Sequence, residues 1–277
     1  MASAPISGRM TDSTAPYAAM TAPQPGPMRT PHSSFQMRSA LRFASALEFS
    51  IEGETGKAML RSRALLERLS AERIRKELCG ILTAPGCGAV LSEYAAVLSV
   101  VLPEIGAEAI AESASAIQAA PKDICLRLAL LLRGQTAQQS GEILKRLRCE
   151  SIVRSRTLAF LEALRSPLPE TREEMLRLAQ SLGWADALLA AGLRDARLAA
   201  ALRALQAENT FLTVRELAVG GDDLLRLGAP GGREIGEALR RLLEAVWRGE
   251  AENTPESLLP LARKILHIDA ARTGESR

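Results

Sequence analysis

The chemistry available to this chain is limited by simple absences. Its two histidines, His32 and His267, lie near opposite ends of the 277 residues, which leaves no basis for a histidine-rich metal site. Asp12 is the only aspartate before Asp123. Cys79, Cys87, Cys125 and Cys149 show no C-x-x-C spacing. They read as reduced thiols, not as a zinc site or a disulfide framework. Asp222 and Asp223 are adjacent, but neighbouring helix positions do not face each other. They read as caps for a helix starting at Leu224. Arginine, by contrast, is abundant. Of 35 basic residues only Lys57, Lys76, Lys122, Lys145 and Lys264 are lysine. The guanidinium's fixed fork of donors suits phosphate oxygens. One basic region runs from Arg38 to Lys76 and a second from Arg127 to Arg165. Each could be a phosphate-facing surface or an ordinary solvated helix face.

The elements that must position these arginines read as helices. Hydrophobic residues make up 47% of the chain and aromatics only 3%, so the core must be aliphatic. Ala and Leu favour helix, and the scarcity of β-branched and aromatic residues argues against a β-sandwich or barrel. The most apolar run, Leu126 to Leu132, is interrupted by Arg127 and is too short to cross a bilayer. A cytoplasmic protein with no membrane partner is expected. Residues 1–35 are rich in Ala, Ser, Thr and Pro without an apolar period and are expected to be disordered.

From Met37 the apolar spacing becomes helical, with Leu41, Phe43, Ala44 and Leu47 on one face. Residues 53–56 read as a turn, followed by a helix carrying Met59 to Leu66. A third helix has Ser70 as N-cap and Glu72 in its first turn, with Ile74, Leu78, Ile81 and Leu82 inward. Further helices are expected at 94–102, 107–119, 123–133, 136–148 and 151–165. They continue after Thr171 to about 207, and again over 233–248, closed by Gly249. Short turns join them, so the fold class is all-α.

Three stretches go beyond composition. Arg42-Phe43-Ala44-Ser45-Ala46-Leu47-Glu48-Phe49-Ser50-Ile51-Glu52 is followed by Leu69-Ser70-Ala71-Glu72-Arg73-Ile74-Arg75-Lys76-Glu77-Leu78. Far downstream come Leu212 to Leu217, Gly221-Asp222-Asp223-Leu224, Gly228, Gly231, Ile235-Gly236, Leu239 and Leu242-Leu243. In this order they resemble the neck and tail of class II bacterial tRNA nucleotidyltransferases, the CCA-adding enzymes, and of their poly(A) polymerase relatives. The resemblance covers most of residues 38–266. It implies a neck at 36–103, a middle domain at 104–208 and a tRNA-binding tail at 209–277, with tRNA, and not DNA, as the partner.

The same resemblance implies what these residues do not supply. The family's catalytic head carries an Asp-x-Asp pair for two metal ions, and such transfer needs closely placed carboxylates. Only Asp12 stands before residue 40. The nucleotide-selecting Glu-Asp-x-x-Arg motif would fall near 32–36, where His32-Ser33-Ser34-Phe35-Gln36 stand. The expectation is therefore a chain that is inactive by itself, with no catalytic residue, metal or cofactor of its own. Magnesium is expected only for an intact family member, and a head could be encoded separately. Leu126-Arg127-Leu128-Ala129-Leu130-Leu131-Leu132 resembles the core helix of a His-Asp metal phosphohydrolase module. Arg133 and Gly134 stand at its metal-binding His and Asp. Arginine offers no lone pair to a cation, so the middle domain is expected to be a degenerate module that keeps the packing without the metal.

The RNA-binding candidates are Arg42, Arg73, Arg75 and Lys76 in the neck, and Gly231, Gly232 and Arg233 in the tail. The neck cations could meet phosphates, or could form ordinary salt bridges such as Arg73 to Glu77. The glycine turn could present N–H groups to a phosphate, or could simply reverse the chain. A helical protein-interaction scaffold is the alternative function.

Overall fold

The computed structural model describes residues 34–208 and 213–268. Residues 1–33, which include His32 and most of the expected tail, lie outside it, as do 209–212 and 269–277. Among the described residues there are helices and turns and no strand.

Ser34 and Phe35, expected in the tail, instead open α1 (Ser34–Leu47). Met37, Leu41 and Ala44 of α1 are buried, whereas Phe43 and Leu47, expected inward, face out at 51% and 54% exposure. The expected turn at 53–56 is the start of α2 (Gly53–Arg61), because the Glu52 carboxylate accepts hydrogen bonds from the Glu54 and Thr55 amides, both at 2.9 Å. A 3₁₀ turn over Arg63–Arg68 leads to α3 (Ala71–Thr83). Ser70 is its N-cap, and Ile74, Leu78, Ile81 and Leu82 are buried as the spacing predicts.

The helix expected at 94–102 is broken differently. α4 (Cys87–Glu93) and α5 (Ala95–Leu98) are separated by Tyr94, whose φ of −111° leaves the helical region. Its ring packs on α2, where a Cβ on Gly56 would meet the Tyr94 hydroxyl at 3.2 Å. A larger residue there would require the tyrosine ring to shift by a few tenths of an ångström.

The next helices are α6 (Ala107–Ala119), α7 (Ile124–Leu131), α8 (Ala137–Arg146) and α9 (Ser151–Arg165). Capping sets their starts locally: Asp123 caps α7, and Thr136 forms a capping box with Gln139 at α8. Then come α10 (Arg172–Leu182), with a second box from Thr171 and Glu174, α11 (Trp184–Arg194) and α12 (Ala196–Ala207). The tail holds α13 (Gly221–Arg226), α14 (Arg233–Trp247) and α15 (Pro255–Ile265). Asp222 and Asp223 sit inside the first turn of α13, not ahead of it. The Asp223 carboxylate reaches back to the Gly220 amide at 2.8 Å. Trp247 is buried, and Trp184 packs at the edge of the same tail core.

The first core draws on residues from Met37 to Cys149. A second, in the tail, includes Leu176, Leu224, Leu242, Trp247 and Leu258. Smaller clusters around Phe160 and Leu202 lie in the stretch from α7 to α12. Helix α7 is the hub, touching α3, α6 and α9, with every residue from Cys125 to Leu131 buried.

Candidate nucleic-acid interface

Within the second basic region Arg127 is neither a phosphate contact nor part of a solvated face. Arg127 is 2% exposed and meets no carboxylate. Its Nε donates to Pro121 O at 2.9 Å, one Nη to Ala120 O at 2.6 Å and the other to Leu82 O. Leu82 and Ala120 end α3 and α6, whose last carbonyls carry partial negative charge and lack intrahelical donors. Arg127 supplies those donors from inside the core.

Other arginines nearby are held by carbonyls or by carboxylates. Arg165 donates to the carbonyls of Leu132 and Arg133 behind α7. Arg194, outside the region, does the same at the end of α9 through Ala163 O and Ser166 O. Arg146 holds Glu104 at 2.7 Å, and Arg148 holds Glu72. Arg156 bridges Asp186 and Asp123 at 2.6 and 2.7 Å, and the Asp186 bond foremost, with Asp123, raises its pKa further.

The first basic region is different. Arg38 takes Glu77 at 2.5 Å, and Arg42 lies 4.0 Å from the same carboxylate with its guanidinium 5.3 Å from the Phe43 ring. Glu77 therefore points to α1, and the expected Arg73–Glu77 bridge does not form. Arg73 and Lys76 are exposed on α3 and make no ion pair among the described residues. The same holds for Arg61 and Arg68, which sequence reasoning did not single out. For Arg61 the lack of an acid at i±3 or i±4 was the available signal. Arg75 is half-buried, and its Nε is buried with no acceptor.

In the tail, Gly228, Gly231 and Gly232 have φ of +94°, +85° and +63°, so glycine is required there for the chain reversal. Gly232 is the N-cap of α14 and has no side chain to occupy the first amides. Arg233 follows, 89% exposed at its side chain and 2.9 Å from Glu237. The neck cations lie on helices of the first core, and this turn adjoins the tail core.

No group of three or more His, Cys, Asp or Glu that could hold a metal occurs among the described residues. The cysteines are free, and burial pushes the Cys79 thiol up to about 11, which keeps it protonated. His267 is exposed at the end of α15.

Residues 48–107 match the family described as "Probable RNA and SrmB- binding site of polymerase A". Residues 125–262 match "tRNA nucleotidyltransferase domain 2 putative". The CCA-adding enzyme of Geobacillus stearothermophilus is 31% identical over 242 residues, covering 81% of this chain and 58% of that protein. The chain belongs to the CCA-adding enzyme family. The CCA-adding enzyme of Lactobacillus delbrueckii subsp. bulgaricus is 25% identical over 234 residues, with the same coverage. The crystal structure of the Bacillus stearothermophilus CCA-adding enzyme in complex with CTP superposes with a TM-score of 0.69 at 26% identity, covering 83% of this chain and 61% of that one. The chain thus spans just under 60% of the length of the curated relatives it matches.

In this family member Arg133 and Gly134 are exposed in the turn after α7, and a Cβ on Gly134 would meet nothing within 4 Å. Installing Arg133→His with Gly134→Asp is expected to leave the fold intact and to create no tight metal site, because two ligands without further donors hold a divalent ion weakly. Titration calorimetry with Zn²⁺ checks this. A micromolar or tighter stoichiometric site would show that more of a metal cradle is present than the described residues reveal.

Proposed function

We propose that this CCA-adding family member binds tRNA and serves tRNA 3′-end processing, with the outer face of α3 and the turn before α14 as its contacts. The observation that carries this reading is the set of exposed, acid-free cations Arg73 and Lys76, within a stretch that matches an RNA-binding family. Exposed guanidinium and ammonium groups without local partners are free to replace counterions along a phosphate backbone. The glycine turn adds unfilled helix amides, to which Arg233 brings charge. Structured RNA presents phosphates and 2′-hydroxyls and hides its base edges in a deep groove. Recognition through cations and a helix end therefore fits tRNA shape better than single-stranded sequence.

The test is fluorescence anisotropy with a tRNA transcript at roughly 50 to 200 mM salt. Affinity is expected to fall steeply with salt, and poly(U) is expected to compete poorly. Arg233→Glu is expected to weaken binding and make the salt slope shallower by about one unit. Absence of tRNA binding at the low end of the range would return the chain to the scaffold alternative.

A further inference from the structure

Where α3 faces the turn between α8 and α9, several cations gather from separate parts of the chain. Arg148 reaches from that turn to Glu72 in the first turn of α3. Arg154, one turn into α9, donates to Cys149 O at 2.7 Å. Arg75 lies on α3, and its charge acts on the thiols of both Cys79 and Cys149. Arg75 follows Glu72 by three residues, so the two share the side of α3 that Arg148 meets. Arg73 and Lys76 continue the basic face along α3. The nearby acids are Glu72, which Arg148 engages, and Glu150, which acts on Cys149.

Two of these arginines sit where stability alone would not put them. The Nε of Arg75 is buried without an acceptor, and an unsatisfied buried donor is destabilising. Arg148 has φ of +53°. It occupies the left-handed position of a helix C-terminal motif in which its own amide bonds to Lys145 O and the Cys149 amide bonds to Leu144 O. Glycine is the favoured residue there, and does occupy the same position after α13 and α14, at Gly228 and Gly249. A long cation at that position carries backbone strain, and its only acid contact is an exposed pair of the kind that contributes little.

We propose that Arg75, Arg148 and Arg154 form a phosphate-binding corner between α3 and the α8–α9 turn, which takes a backbone phosphate of structured RNA. This rests on the reading of the chain as a tRNA-binding protein. The corner extends the neck surface beyond the stretch that matches an RNA-binding family, into the segment that follows it. With its side chain turned outward, Arg75 would gain from a phosphate oxygen the acceptor that its Nε lacks, and Arg148 would exchange Glu72 for a second oxygen.

The experiment compares tRNA binding and thermal unfolding of the full chain with those of Arg75→Met, Arg148→Gly and Arg233→Glu. Arg75→Met and Arg148→Gly are each expected to weaken tRNA binding by about tenfold. Each should make the salt slope shallower by about one unit. The unfolding midpoint should stay unchanged or rise, since one variant removes an orphaned donor and the other relieves a positive φ. Glu72→Gln, which frees Arg148, is expected to tighten binding. A midpoint that falls together with affinity would assign these arginines to packing and overturn the proposal. If wild type binds tRNA and both variants bind it as tightly with the same slope, the corner is refuted while the tRNA reading stands. If wild type binds no tRNA, both fall.

Discussion

Leu131→Asp is expected to abolish folding of the segment from α1 to α9. Leu131 is 3% exposed on α7, the helix that touches α3, α6 and α9. Its side chain belongs to the aliphatic first core, and the buried Arg127 one turn earlier is already committed to backbone carbonyls. An uncompensated buried charge costs several kcal/mol even after relaxation. A domain's whole stability is about 5–15 kcal/mol, so one such substitution consumes most of it. Loss of the cooperative unfolding transition in circular dichroism, with recovery mainly in the insoluble fraction, is the expected result. A soluble variant melting within a few degrees of wild type would mean that α7 is not the hub. Leu130→Asp, at a position 7% exposed in the same core, should behave similarly.

Arg127→Met is expected to destabilise the protein by about 2–6 kcal/mol, because two buried carbonyls lose their donor at about 1–3 kcal/mol each. Methionine can fill much of the volume, yet the carbonyls of Leu82 and Ala120 would lose their donor at once, while Pro121 O would keep only the Asp123 amide. The ends of α3 and α6 would then be left buried and uncapped. Arg127→Lys is expected to recover only part of the loss, because a point-like ammonium cannot span three carbonyls as the planar fork does. Urea unfolding measures this as a lower midpoint with unchanged slope. Were Arg127 a phosphate contact instead, the substitution would leave the midpoint alone and weaken RNA binding. A midpoint shift below about 1 kcal/mol would count against the internal capping role.

Local chemistry explains why so much of the helical layout was legible. Ser70, Asp123, Thr136 and Thr171 each cap the helix that follows. Such caps act over three residues and can be read directly. The apolar spacing of Ile74, Leu78, Ile81 and Leu82 predicted the buried face of α3 without reference to anything else. The misreadings have equally local causes. Glu52 reaches forward to cap α2, turning an apparent glycine turn into a helix. Tyr94 leaves the helix to pack its ring against Gly56, a residue 38 positions earlier in the sequence. Phe43 and Leu47 have core-like character but face outward, which periodicity over a short helix does not reveal.

By itself the sequence determined the all-α class, the start of most helices and the family, because propensity, capping and motif order are written in neighbouring residues. It also determined that the charge is carried by arginine. Only the tertiary structure decided what each arginine does. Arg73, Arg127 and Arg148 are chemically identical, and all lie in stretches that read as basic. One faces solvent on α3, one is sealed among carbonyls, and one reaches Glu72 from a strained turn. The acceptors that sort them lie up to 76 positions away. A guanidinium's role is fixed by which oxygens fold next to it, and that is information the local sequence does not contain.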